Sequence, residues 1–234
     1  MARAGFRSAT FPVRATALAA LVALGAASVQ AGPVDGRAAD KMLFSAKGFE
    51  VVMVAGSGLT AADQAVLGQL FKLKEKDLKL LDQIPGVSEA DRASAKAVFA
   101  QFREARYYGA VAAAPGDGLV APGTQIAQNL HSPAAAAAAA LAACNRVAAS
   151  ACVVVAEVLP KNYRPQALTL NADATDALRA YRKGKGPKAM AISAATNVWA
   201  VAKGIGANVG ARRECERLAA PLGVADCAVV IADN

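Results

Sequence analysis

The stretch that decides the fold occurs twice in this chain, each time in the same order. The first version consists of GAVAAAPGD at 109–117, LAAC at 141–144 and CVVVAEV at 152–158. The second consists of KAMAISAAT at 188–196, RREC at 212–215 and CAVVIAD at 227–233. In each version a short apolar strand precedes a helix ending in Cys, and a second Cys opens a β-branched strand. This order predicts two ββαβ modules related by an internal pseudo-repeat.

Turn and cap residues support these elements. PGDG at 115–118 is a strong turn signal, and VWAV at 198–201 follows a weaker turn that predicts an opening hairpin in the second module. Ser132 followed by Pro133 is typical of an N-cap and a first helical residue. Asn208 is the expected cap of the second module's helix.

A different pattern precedes the modules. FEVVMV at 49–54 predicts a strand, Thr60 opens a helix with a capping box, and Ser88 caps another helix that continues to about residue 106. The predicted fold class is therefore α+β, with a helical N-terminal part before the two modules. The chain divides into a leader (1–31), a strand plus helical N-terminal part (32–106), the first module (107–170), a short helix and linker (171–187), and the second module (188–234).

Residues 1–31 have the three parts of a secretory signal peptide. Arg3, Arg7 and Arg14 give a basic start without acidic residues, and an uncharged apolar run follows at 15–29. VQA at 29–31 places small residues where a signal peptidase reads them, so we expect cleavage after Ala31. The apolar run is shorter than the roughly 20 residues of a membrane-spanning helix. We therefore expect a periplasmic or secreted protein.

Cleavage would leave 203 of the 234 residues. Three of the charges in the formal net charge of +8 belong to the leader, so the mature chain carries +5. This mildly basic balance favours an anionic ligand, but we expect no nucleic-acid partner. Because no second apolar stretch of spanning length follows the leader, we expect a soluble monomer with no integral membrane segment after cleavage.

The four cysteines of an exported protein are most simply two structural disulfides. Three connectivities are possible, and the repeat selects one of them. Cys144 is expected to pair with Cys152, and Cys215 with Cys227, so that each bond ties a helix end to the following strand. A redox or metal role is the alternative, but CxxC spacing does not occur and the chain has a single histidine.

A basic segment before the second module is the candidate binding site. It could hold an anionic ligand or an unknown partner in the cell envelope, with glycines that expose backbone donors. The alternative is a solvated linker. The candidate residues are Arg179, Tyr181, Arg182, Lys183, Lys185 and Lys188.

No catalytic, cofactor-binding or metal-binding residue is assigned. His131 lies just before a helix cap, so we interpret it as a surface or capping-region residue rather than a general base. Gly204, Gly206 and Gly210 imitate a dinucleotide fingerprint, but the spacing is GxGxxxG, so we interpret them as a strand-to-helix connection. A carboxylate pair such as Glu104 and Asp117 would be needed for a hydrolase, and sequence alone cannot bring two carboxylates together.

The modules resemble a family of small exported bacterial proteins with an uncharacterised domain. YGAVAAAP at 108–115, the alanine-rich helix ending in LAAC, and CVVVAEV carry the resemblance, and AMAIS, VWAVAKG and CAVVIAD in the second module are similar. The resemblance covers about half of the mature chain. It implies export and disulfides and brings no established catalytic residues.

Whole chains that resemble this one are sometimes catalogued as 5-aminolevulinic acid synthase. That enzyme class is cytosolic, depends on pyridoxal phosphate and is about twice as long, with a Schiff-base lysine in a large fold. An exported chain of 203 residues lacks room for such a fold, so we expect no cofactor. The sequence favours a non-catalytic periplasmic binding or interaction protein. The alternative is a cell-envelope enzyme of the hydrolase type with an unidentified carboxylate site.

Overall fold

Two antiparallel sheets, built by seven strands of the described residues, form the framework of the fold. The computed structural model describes residues 32–74, 76–77, 79, 88–89, 92–93, 96, 100–102, 105–119, 121 and 123–234. The predicted leader and about half of the predicted helix that begins at Ser88 lie outside the described residues.

Sheet 1 has four strands in the order β1-β4-β2-β3, and every neighbouring pair is antiparallel. Its central strands β2 and β4 are buried along most of their length, as expected for runs rich in Ala and Val. The predicted strand in the N-terminal part is present and extends this sheet as β1. The strands are β1 (Phe49–Met53), β2 (Gly109–Ala113), β3 (Gln125–Ala127) and β4 (Val153–Pro160).

Sheet 2 has three strands in the order β6-β5-β7, again all antiparallel. The predicted hairpin opens the second module as β5 and β6, and the Cys-led strand β7 pairs with the other side of β5. Val34 forms one parallel bridge with Ile231 of β7. The strands are β5 (Lys188–Ser193), β6 (Trp199–Lys203) and β7 (Cys227–Asp233).

The helices are α1 (Gly36–Met42), α2 (Ala61–Leu70), α3 (Pro133–Asn145), α4 (Ala172–Lys183) and α5 (Ala207–Ala219), followed by a 3-10 turn at Ala220–Leu222. Four of the helices lie where the local sequence predicts, but α5 continues one turn beyond its predicted end at Cys215, and α1 was not predicted.

The predicted caps are correct for two helices and wrong for one. Thr60 and Asp63 form the full capping box of α2, and Ser132 caps α3 with Pro133 at its first position. Asn208 is not the cap of α5. That cap is Gly206, which adopts a left-handed conformation with φ 77° and has no side chain to contribute. The glycine turns the chain into the helix two residues earlier than the asparagine would.

Alanine lets one helix lie close against each sheet. Ala136, Ala140 and Cys144 of α3 face sheet 1 at a spacing of four residues, and all three are fully buried. The helix α5 presents an equivalent row to sheet 2: Ala207, Ala211, Cys215 and Ala219. The small side chains bring helix and strand backbones together, which fits a core poor in aromatic residues.

The opposite faces of the sheets carry larger side chains. Leu67 of α2 and Phe102 pack against Val111 of β2 on sheet 1. On sheet 2, Met190 and Ile231 pack against α4 and α1. The helix α4 connects the two cores, because its first residue, Ala172, belongs to the core of sheet 1 and its later residues belong to the core of sheet 2.

The element order strand-strand-helix-strand occurs around both sheets. In each module the first strand, β2 or β5, pairs with the module's other two strands. The register shifts at one point, between Val111 and Ala112 in β2 and between Met190 and Ala191 in β5. Both predicted disulfides are present, Cys144–Cys152 and Cys215–Cys227. The α+β fold class is confirmed, whereas the internal pseudo-repeat stays a prediction.

None of the helices in the described part of the chain combines the length and the apolar character that crossing a bilayer requires.

Candidate anion-binding groove

A row of three charged residues marks the end of sheet 2. Lys188 of β5 lies opposite Lys203 of β6 on one side and opposite Asp233 of β7 on the other. Directly opposed residues place their side chains on the same face of a sheet. Two residues along each strand, Met190 and Val201 belong to the core that packs on α4, so the charged row also faces α4.

A groove of about 1060 Å³ opens at this end of the sheet. The end of α4, the linker that follows it, the start of α1 and the last residues of β7 form its walls. The cationic residues of the lining are Arg37, Arg179, Arg182, Lys183, Lys185 and Lys188, and the acidic ones are Asp35 and Asp233.

Tyr181 and Lys188 are both buried, and of the two only Lys188 lines the groove. Tyr181 is almost fully buried and donates its hydroxyl hydrogen to the carbonyl oxygen of Lys188 at 2.9 Å. The Lys188 ammonium lies 5.2 Å from the centre of the Tyr181 ring, donates to Gly184 O at 2.8 Å and is 3.2 Å from Asp233 Oδ2. Tyr181 is therefore not part of the exposed basic surface that the sequence suggested. Lys188 is already paired.

Helical spacing is the signal that could have shown this. Ala174, Leu178 and Tyr181 recur at intervals of four and three residues, which is the pattern of a buried helix face. Arg179, Arg182 and Lys183 lie between these positions or beyond them, and so reach solvent.

Asp233 is held as a carboxylate. Burial raises the pKa of Asp233, but the backbone N–H of Gly36 and the Lys188 ammonium outweigh burial and leave the pKa below its usual value. The Gly36 nitrogen donates to Asp233 Oδ1 at 2.8 Å. A methyl group on Gly36 would lie 3.0 Å from both Asp233 Oδ2 and the Tyr181 ring, so the close approach of α1 needs glycine here.

Half of the six cations that line the groove form no ion pair with a described residue. Arg37, Lys183 and Lys185 make no ion pair with any of the described residues. Arg182 is paired with Asp40 at 2.6 Å, and Arg179 approaches Asp176 only at 4.0 Å. Both of these pairs are largely exposed and weak.

The sequence around the linker contains basic residues without acidic ones. Residues 177–213 contain eight Lys or Arg residues and no Asp or Glu. The groove lining has six cations against two acids, and one of those acids already compensates Lys188. An anion that enters the groove can therefore meet cations from α1, from the end of α4 and from the linker at the same time.

Sequence reasoning missed the walls that come from distant segments. Arg37 and Gly36 stand at the start of the described chain, and Asp233 stands near its end. No local sequence pattern predicts that the start of α1 contacts the end of β7. Their contact depends on the bridge between Val34 and Ile231, which places α1 beside the end of β7.

His131 is not a surface residue: it is buried inside the protein, and both of its ring nitrogens form hydrogen bonds. Its Nδ1 accepts from the backbone N–H of Asn171 at 3.2 Å, so the proton of the neutral ring is on Nε2, which donates to Val198 O at 3.0 Å. Burial lowers the pKa of His131 to about 4. The ring is therefore neutral at pH 7 and joins chain segments.

The other chemical candidates also have structural roles or lie outside the described residues. The glycine segment is the β6–α5 connection, as interpreted from the sequence, and the sheet beside it is antiparallel. Asp117 accepts hydrogen bonds from Ala149 and Ser150, which lower the pKa of Asp117, and Glu104 lies outside the described residues. Within the part of the chain that the structure describes, no three His, Cys, Asp or Glu residues gather as a metal cluster.

Comparison with family models, with curated proteins and with solved structures gave no match to the chain.

Proposed function

We propose that this protein is an extracytoplasmic binding protein that holds an anionic ligand in the groove at the end of sheet 2. Support for the location comes from the leader-like sequence at 1–31 and from the two disulfides, which persist in oxidising compartments. Support for the ligand class comes from the groove.

The single observation that carries the proposal is the set of uncompensated cations in the groove lining. Lys183 at the end of α4 and Lys185 in the linker have no ion-pair partner among the described residues, and Arg37 of α1 lines the same groove. Lys188 and Tyr181 make contacts that hold the fold together. The side chains of Arg37, Lys183 and Lys185 form no ion pair with the described residues. Their convergence therefore favours a role in ligand binding.

A short inorganic polyphosphate with a fluorescent label provides a direct probe. We expect fluorescence anisotropy to show binding that weakens as ionic strength rises, because exposed charges are screened by salt. Replacing the two cations on either side of Gly184 together, Lys183→Ala with Lys185→Ala, should weaken binding about tenfold.

The matched control removes the same charge elsewhere. Lys47 and Lys161 are exposed and lie away from the groove, so the double variant Lys47→Ala with Lys161→Ala should bind the probe within about twofold of the original protein. Equal losses in both double variants would mean that net charge, and not the groove, attracts the probe. That outcome would refute the proposal.

A further inference from the structure

An isoleucine stands fully exposed at the tip of the β6–α5 loop. Ile205 has a relative exposure of 103%, and Val209, one helical turn later, has 63%. The glycines on either side of Ile205 both adopt positive φ values, 89° at Gly204 and 77° at Gly206. A methyl group on either glycine would meet no atom of the described residues within 4 Å, so the tip projects away from the body of the protein.

The tip is nevertheless a defined turn. Gly204 N donates to Pro187 O at 2.8 Å, and Ala207 N donates to Gly204 O at 3.1 Å. The first of these bonds fastens the tip to the linker that borders the groove. Ile205 therefore belongs to the same end of sheet 2 as the candidate binding site.

Cations surround the exposed apolar side chains. Lys203 precedes the tip by two residues, and Arg213 follows Val209 by four residues, which places it on the same face of α5. Lys185 is two residues from Pro187, to which the tip is bonded. None of these three cations forms an ion pair with the described residues, and the sequence has no acid from 177 to 213.

We infer that this end of sheet 2 docks on an anionic lipid surface, with Ile205 and Val209 inserted below the headgroups and the cations at headgroup level. The inference rests on the proposed anion-binding function and names its ligand as the anionic headgroups of a bilayer. Apolar side chains beside Lys and Arg are the arrangement that interfacial binding requires.

Other occupants fit the surface less well. A soluble polyanion offers no apolar environment in which Ile205 and Val209 could be buried. A second copy of this chain would bring like charges together, and two apolar residues fall far short of the roughly 800 Å² per partner of a stable protein interface. A bilayer satisfies both the charge and the apolar tip.

Vesicle co-sedimentation of the purified protein tests the inference. We expect binding to vesicles of equal parts phosphatidylcholine and phosphatidylglycerol, and little binding to phosphatidylcholine alone. Ile205→Ser should weaken partitioning into the anionic vesicles about tenfold. Ile205→Trp should retain partitioning, because tryptophan is favourable at the membrane interface.

Leu222→Ser is the matched control. Leu222 is also exposed, at 56%, but it lies at the far end of α5. The Leu222→Ser variant should bind anionic vesicles within about twofold of the original protein. The same weakening in both Ser variants, or equal binding to both kinds of vesicle, would overturn the lipid inference.

The polyphosphate assay separates this inference from the proposed function. Ile205→Ser should bind polyphosphate like the original protein while losing vesicles. If the original protein binds polyphosphate but no vesicle, the lipid inference is wrong and the proposed anion groove stands. If it binds vesicles through Ile205 but not polyphosphate, the groove as a general anion site is refuted.

Discussion

Asn171 and His131 satisfy one another's polar groups in the interior of the protein. Asn171 is fully buried, and its side-chain amide donates to Asn129 O at 2.9 Å and to Asn197 O at 3.0 Å. Its Oδ1 caps α4 by accepting from Ala174 N. Together with the two bonds of His131, these contacts join the end of the first module's hairpin, the start of α4 and the β5–β6 turn. Protonation of His131 would place an unsolvated charge here, and the N–H of Asn171 would lose its acceptor, His131 Nδ1.

The stability of the protein should therefore depend on pH through His131. The pKa of His131 is about 4 in the folded protein because of burial, against about 6.5 in an unfolded chain. The unfolded state binds the proton more readily, so the free energy of unfolding should fall as pH drops below 6.5. We expect a loss of about 2 kcal/mol between pH 7.5 and pH 5, measured by urea denaturation.

His131→Gln provides the control for this dependence. Glutamine does not titrate, so the variant should be less stable at pH 7.5 but nearly constant down to pH 5. The carboxylates do not confuse this window, because the pKa values of Asp117 and Asp233 are lowered and their stabilisation is lost only at more acidic pH. Parallel pH curves for the two proteins would show that His131 is not the group responsible.

At the scale of the elements, the sequence signals that succeeded are local. The capping box at Thr60 and the pair Ser132-Pro133 specify helix starts through bonds within one turn. The repeated Cys positions predicted both disulfides, because the same helix-to-strand pairing could be made in each module. Asn208 failed as a cap because Gly206 could adopt a left-handed conformation that propensity alone does not reveal.

The signals that were missing concern contacts between distant segments. The pairing of β1 with β4 joins residues more than a hundred positions apart, and the bond between Gly36 and Asp233 spans almost the whole described chain. The linear run of cations located one wall of the groove. It could not reveal the α1 wall, nor that Asp233 would neutralise Lys188.

The alanine row on α5 makes a prediction about packing. Ala211 is fully buried against the β5 alanines, so Ala211→Leu adds carbon atoms where no space remains. We expect the free energy of unfolding to fall by about 1–3 kcal/mol in urea denaturation. Arg213→Leu places the same residue at an exposed position of the same helix and should change stability by no more than about 0.5 kcal/mol. If both variants were equally stable, α5 would not lie as close to the sheet as the structure shows.

At the scale of the whole molecule, α4 makes the two sheets interdependent. Its first residue packs in the core of sheet 1, whereas Leu178 and Tyr181 pack in the core of sheet 2. The His131–Asn171 contacts add buried polar bonds between the same regions. Residues 32–234 accordingly form one compact unit. Loss of one sheet would expose core residues of the other, so we expect unfolding to be cooperative.

Removing either disulfide tests this cooperativity. In the chain-entropy account, loops of 8 and 12 residues predict a loss of about 2.5 kcal/mol for each bond. We expect the double variant Cys144→Ser with Cys152→Ser to lower a single thermal transition. Trp199 fluorescence reports on sheet 2 and near-ultraviolet circular dichroism of Tyr107 and Tyr108 reports on sheet 1, and the two signals should change together. The matching variant, Cys215→Ser with Cys227→Ser, should behave in the same way. If sheet 1 melted while the Trp199 signal stayed native, α4 would not couple the sheets, and the modules would be independent folding units.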